Sequence, residues 1–221
     1  MEDSFRVRPR PLRRHRRLGV GIWFAGLVGR PYRIAMEAAV GFKEWAIVCD
    51  SILRGETSVL FRKGGIAEGR DGFRFKHDRF FLFPTFFHEQ IDRTRLPAER
   101  DLRPQHDPVV VSLFLEVEFT SWIGDLSEID PLESLHVLKR SVLEERFEYD
   151  EQKGLHLAFF RAYRLSMPWE FPFHRSYGGC RSWVMLPQPP EDLALSPIIA
   201  DDEHATRREL IGAAKQNAGS R

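Results

Sequence analysis

The sequence predicts an α+β domain: a mixed or antiparallel sheet carrying one or two packed helices, preceded by a disordered basic extension. Three observations carry this reading. Strand-like segments follow one another without regular alternation with helices, which argues against a doubly wound parallel sheet. Apolar residues make up 43% of the 221 residues and aromatics 12%, enough for a sizeable core without a disulfide or metal staple. Charge is segregated: residues 1–35 hold nine arginines against two acids, a net +7, so the remainder of a chain of net charge +1 stands at −6.

The elements are expected in the following order. Residues 1–17 are arginine-rich and cannot bury apolar surface, so disorder is expected there. Leu18 to Gly29 is apolar but too short to span a bilayer as a helix. The two stretches imitate a signal peptide without a clear cleavage site, and Met36 is the preferred true start, with residues 1–35 an extension or a gene-model artefact. Glu37 to Arg54 reads as a helix, because Phe42, Trp45, Ala46, Cys49, Ile52 and Leu53 recur at three- and four-residue spacing. Gly55 stands where a left-handed cap would end it. Ser58 to Arg62 reads as a strand, followed by a glycine-rich loop from Lys63 to Gly72. Phe73 to Phe75 and Arg79 to Phe83 read as strands, with Pro84 ending the run. Phe86 to Gln90 allows one helical turn, and residues 92–108 form an exposed connection.

Val109 to Trp122 is the strongest strand pattern, long enough to expect a bulge or bend. A helix is expected from Asp130, as N-cap, with Pro131 at its first position, to Glu145. Leu155 to Leu165 is a strand, and Pro168 to Pro172 is irregular. Tyr177 to Val184 is a turn into a last short strand. Beyond Pro187 the chain is proline- and acid-rich, and a marginal helix over 203–216 is expected off the core. The domain boundaries are accordingly 1–35 for the extension, 36–188 for the α+β domain and 189–221 for the polar tail. The two cysteines, Cys49 and Cys180, match no zinc or redox spacing and fit a reducing, cytoplasmic compartment. A soluble protein without membrane association is expected.

Several separated strings carry a family resemblance. Lys43-Glu44-Trp45 comes first. Leu60-Phe61-Arg62-Lys63-Gly64-Gly65-Ile66 with Glu68 follows, then Phe81-Leu82-Phe83-Pro84-Thr85 with His88 and Gln90. Arg161 to Leu165, Pro168 and Tyr177-Gly178-Gly179-Cys180-Arg181-Ser182-Trp183 complete the set. In this order they resemble the bacterial domain of unknown function family 1802 over about residues 38–188. The resemblance implies domain boundaries and brings no activity with it.

Five constellations could carry chemistry. Gly64 and Gly69 have the spacing of a phosphate loop, but Arg70-Asp71 replaces the Lys-Ser/Thr pair and strand replaces helix, so that motif is rejected. A weaker anion nest survives, with amides at Gly64 and Gly65 and charge from Arg62, Lys63 and Arg70; the competing reading is a solvated hairpin. Seven phenylalanines between Phe73 and Phe87 could stack bases beside Arg74, Lys76 and Arg79, although alternating Phe more often builds core. His77, His88 and His106 lie near acids, but no metal motif contains them, so structural roles are expected and no metal site is assigned. Glu116 and Glu118, two apart on a strand, would share one face, and Glu44 and Glu68 could add carboxylates for a metal-dependent nuclease. Cys180 follows two glycines beside Arg181 and is read as an inert thiol.

Three functions remain open on the sequence. The first is a binding module for an anionic ligand, a nucleotide or nucleic acid, using Lys43, Arg62, Lys63, Gly64, Gly65, Arg70, Arg79 and His88. The second is a metal-dependent phosphodiester hydrolase using Glu44, Glu68, Glu116 and Glu118. The third is a non-catalytic protein-interaction domain. The sequence names no cofactor and fixes no oligomeric state.

Overall fold

The computed structural model describes residues 32–33, 39–63, 74–87 and 90–218. The described residues all fall in one compact unit, Pro31–Arg221. Residues 1–30, and with them most of the expected basic extension, lie outside the described residues. Tyr32–Arg33, expected to be disordered, is instead a short strand.

The fold is α+β, built on one mixed sheet. Its strands are β1 (Tyr32–Arg33), β2 (Val40–Trp45), β3 (Val59–Arg62), β4 (Arg79–Thr85), β5 (Val109–Ile123), β6 (Leu155–Phe171), β7 (Trp183–Met185) and β8 (Ala194–Pro197). The order across the sheet is β1-β8-β6-β5-β4-β2-β7, and β3 shares with β8 the edge of β6 that β5 does not use. β2 and β4 run parallel, whereas the other pairs are antiparallel. The helices are α1 (Ala46–Leu53), α2 (Arg140–Phe147) and α3 (Asp201–Ala218). Among the described residues no helix is long and apolar enough to cross a membrane.

Alternation along the strands feeds two cores, one on each face. Phe42, Phe80, Leu82, Leu113 and Leu115 point to the first, which α1 and α2 complete with Ile52 and Leu143. Phe81, Phe83, Phe114, Trp169 and Leu186 build the second. The expectation that the clustered phenylalanines are core therefore holds for Phe80, Phe81 and Phe83, while Phe86 and Phe87 emerge from it.

The expected helix from Glu37 is half strand. Residues 41–45 pair with β4 and residues 40–42 with β7, and those ladders outweigh local helical spacing. Gly41 is required there, since a Cβ would stand 2.9 Å from side-chain atoms of both Val184 and Leu186. The cap at Gly55 is as expected: its φ is +75°, its N–H donates to Ile52 O, and the Glu56 N–H donates to Ser51 O, closing a Schellman motif.

Other boundaries moved for identifiable reasons. β4 runs through Pro84 to Thr85. Its ladder with β5 stops at Phe81, so only one side of the strand is paired at the proline. β6 runs through Pro168 to Phe171, and Pro168 sits where four residues of β6 bulge opposite Ser112. A second slip makes Glu118 an extra residue of β5 between Val117 and Phe119, which is the expected bulge. The helix expected from Asp130 is broken into a 3-10 turn, Asp130–Leu135, and α2. Between them the backbone is extended: Val137 O accepts from Arg95 N–H, and Leu138 bridges Thr94. β7 is followed by β8, a strand the sequence reading lacked. α3, expected off the core, packs on it: Ile211 is buried in the first core, and His204 stacks on Phe159.

Candidate functional site

The C-terminal ends of β2, β3 and β4, the start of α2's last turn and the turn before β7 surround a cleft of about 640 Å³. Six cationic side chains line it: Lys43, Arg62, Lys63, Arg93, Arg146 and Arg181. Each position follows from local structure. Lys43 projects from β2 beside Phe83 of β4. Arg62 ends β3 and Lys63 follows it. Arg93 closes the short 3-10 turn Ile91–Arg93, and Arg146 sits on the buried side of α2 in line with Leu143. Arg181 follows the Gly178-Gly179 turn, where Gly179 takes φ +74°.

Trp45 organises part of this charge. The Arg146 guanidinium lies 4.5 Å from its ring centroid, that of Arg93 lies 5.6 Å away, and Phe87 meets it edge-on. Arg146 also donates to Phe61 O at 2.9 Å. Burial, reinforced by Arg62 and Arg93 and opposed by Glu44 and Glu145, lowers Arg146 to about 10, so it remains charged at neutral pH. Arg93 pairs with Glu145. Arg62 lies over Phe42, donates to Lys43 O and has Nε 3.8 Å from Glu44. Lys63 pairs with Asp150 at 2.8 Å.

Lys43 is 7% exposed and donates to the carbonyls of Gly178 and Gly179, both at 3.0 Å. These neutral partners hold the ammonium without cancelling its charge. Burial pulls its pKa below the ordinary lysine range, opposed by Cys180 and reinforced by Arg181. Cys180 is exposed on the cleft wall.

Lys43, Arg62 and Lys63, named from the sequence, are thus brought together. Arg79 is not: it pairs with Glu116 at 2.9 Å, four residues down β4 from Phe83, the register partner of Lys43, and so about 13 Å from the cleft at strand rise. Gly64, Gly65, Glu68, Arg70 and His88 lie outside the described residues. The remaining carboxylates do not converge. Glu44, 2% exposed, accepts from the Trp45 N–H beneath the cleft. Glu116 accepts from Tyr163 at 2.9 Å. Glu118 does not share its face: the bulge turns it to α3, where it meets His204 Nε2 at 2.8 Å and Arg208. Among the described residues no three His, Cys, Asp or Glu side chains gather as a metal site would require.

Arg93 and Arg146 were missed from the sequence. One signal existed for Arg146: it falls within the stripe Val142, Leu143, Phe147, where a charge has to be buried or stacked. Arg93 gave none, since the approach of its turn to α2 is purely tertiary.

The chain resembles the crystal structure of ASCH from Zymomonas mobilis, at 14% identity and a TM-score of 0.40, over 77% of this chain and 92% of that one. A point mutant of that protein gives 15% identity and a TM-score of 0.38 over 82% and 99%. No curated protein matches. The family model described as "Domain of unknown function (DUF1802)" matches residues 41–209, which span β2 to the first half of α3. The chain therefore belongs to the DUF1802 family.

Proposed function

We propose that this domain binds a phosphate-bearing ligand, a nucleotide or a single-stranded nucleic acid, in the basic cleft. The observation that supports this reading is the collection of six cations around one hollow, with two guanidinium groups stacked on Trp45. A charge cluster of that kind in a partly desolvated hollow attracts phosphate, and arginine offers it forked donors. A hydrolase built on Glu44, Glu116 and Glu118 is disfavoured, since those carboxylates are engaged by separate partners.

The test is equilibrium binding of nucleoside phosphates and a labelled single-stranded oligonucleotide to the full chain at low salt. Replacing Arg62 and Lys63 together by alanine removes two phosphate donors and leaves Glu44 and Asp150 without those partners, and is expected to weaken binding about a hundredfold or more, at ~1.5–3 kcal/mol per charged hydrogen bond lost. Arg208→Ala on α3 is expected to leave it unchanged. The reading is wrong if neither probe binds the unaltered chain, or if both variants weaken binding alike.

A further inference from the structure

Beside the cleft lies a second hollow of about 210 Å³. The two are not separate places: Lys43, Thr85, Phe86 and Gly179 line both. Their chemistry differs sharply. Among the described residues that line the small hollow, Lys43 is the one lysine or arginine, and the walls are the rings of Phe83, Phe86, His106, Phe173 and Tyr177.

We propose that this aromatic hollow is a nucleobase subsite, so that one nucleotide unit spans the pair, its base among the rings and its phosphate beside Lys43 and the cleft arginines. The proposal rests on the phosphate-binding reading of the cleft and adds the part of the ligand that carries no charge.

Three further observations point the same way. Large aromatic rings are left in water here: Phe173 is 44% exposed in the small hollow, while Phe87 at 40% and Tyr149 at 57% stand around the cleft. Exposed rings beside gathered cations are the combination that holds bases and backbone of single strands. The Phe173 ring is also fixed in place for stacking. Its backbone N–H donates to Asp107 at 2.9 Å, and its ring meets Tyr177 edge-on at 6.0 Å. Tyr177 is itself held by Phe83 and Phe171. Hydrogen-bonding groups are within the hollow too. The Gly178 and Gly179 carbonyls each use one lone pair on Lys43 and keep a second for a base amino group.

The chemistry is shared by a free nucleotide and by one unit of a strand, and the test separates them. Calorimetry on the full chain compares the four nucleoside 5′-monophosphates with ribose 5-phosphate, and a single-stranded octanucleotide with its abasic counterpart. Phe173→Ala is expected to weaken the base-containing probe by about five- to 150-fold and leave its base-free partner unchanged. Phe173→Trp is expected to retain binding. Arg146→Ala is expected to weaken both members of a pair. A mononucleotide effect identifies a free nucleotide as sufficient; an effect confined to the octanucleotide identifies a strand. The base subsite is refuted if phosphate probes bind but Phe173→Ala shifts base-containing and base-free probes equally, or shifts neither. If no probe binds at all, the reading of the cleft falls and takes the subsite with it.

Discussion

The salt dependence of binding tests the cleft quantitatively. Of its six cations, three have carboxylate partners: Arg62 approaches Glu44, Lys63 meets Asp150 and Arg93 meets Glu145. Lys43 and Arg146 have carbonyl partners, and Arg181 is exposed, so these three charges have no carboxylate in ion-pair contact among the described residues. Neutralising three phosphates of a single strand gives a slope of about −2 in log K against log salt. Affinity should then fall about twentyfold between about 50 and 200 mM KCl. Arg146→Ala removes one such charge, so the slope should ease to about −1.4 and the same salt step should cost only about sevenfold. Fluorescence anisotropy of a labelled dodecanucleotide across a KCl series reads both slopes. An Arg146→Ala slope identical to that of the unaltered chain would refute the assignment, as would an equal change on Arg208→Ala.

Two further predictions concern stability. A Cβ on Gly154, whose φ is +141°, would stand 2.1 Å from the Trp122 ring and 2.8 Å from Ile123 O. Gly154→Ala should therefore destabilise by about 1–3 kcal/mol, and an unchanged urea midpoint would contradict this. His136 is buried edge-on against Phe61 of the first core, and burial, then Arg95, lowers it to about 4. An unfolded histidine titrates near ~6.5, so between these values the unfolded chain binds the extra proton. Stability should be lost as pH falls from about 6.5 to about 4, by up to about 3 kcal/mol, with no further loss from this group below. His136→Leu should flatten that limb in denaturant titrations; a limb of unchanged steepness would show that His136 does not cause it.

Much of the fold was legible because burial imposes period two on long strands. The pattern of β5 over 109–122 survived almost to the residue, as did β3. The helix start at residue 37 failed for a physical reason: Phe42, Cys49 and Ile52 reach the same core whether residues 40–45 coil or extend, so periodicity could not discriminate. Only the ladders to β4 and β7 decide it. Proline misled twice, at Pro84 and Pro168, because the sequence does not show where a neighbouring strand ends or bulges. For the site, Lys43, Arg62 and Lys63 were found as cations near glycines and aromatics. Arg93 and Arg146 come together across 53 residues through the packing of α2, which no local motif encodes.

The extra residue at 118 has a consequence for how this chain can change. Phe159 and Phe160 are sequence neighbours, yet both are buried in the same core, and that is accommodated because β5 sets Glu118 as a surplus residue against them. Exchanging that glutamate would remove a partner from α3 and leave the strand's phase intact. Losing the position altogether would invert every side chain after it, carrying Phe119 and Ile123 outward and Trp122 inward. Substitution there is an adjustment, whereas a one-codon deletion would turn that end of the sheet inside out.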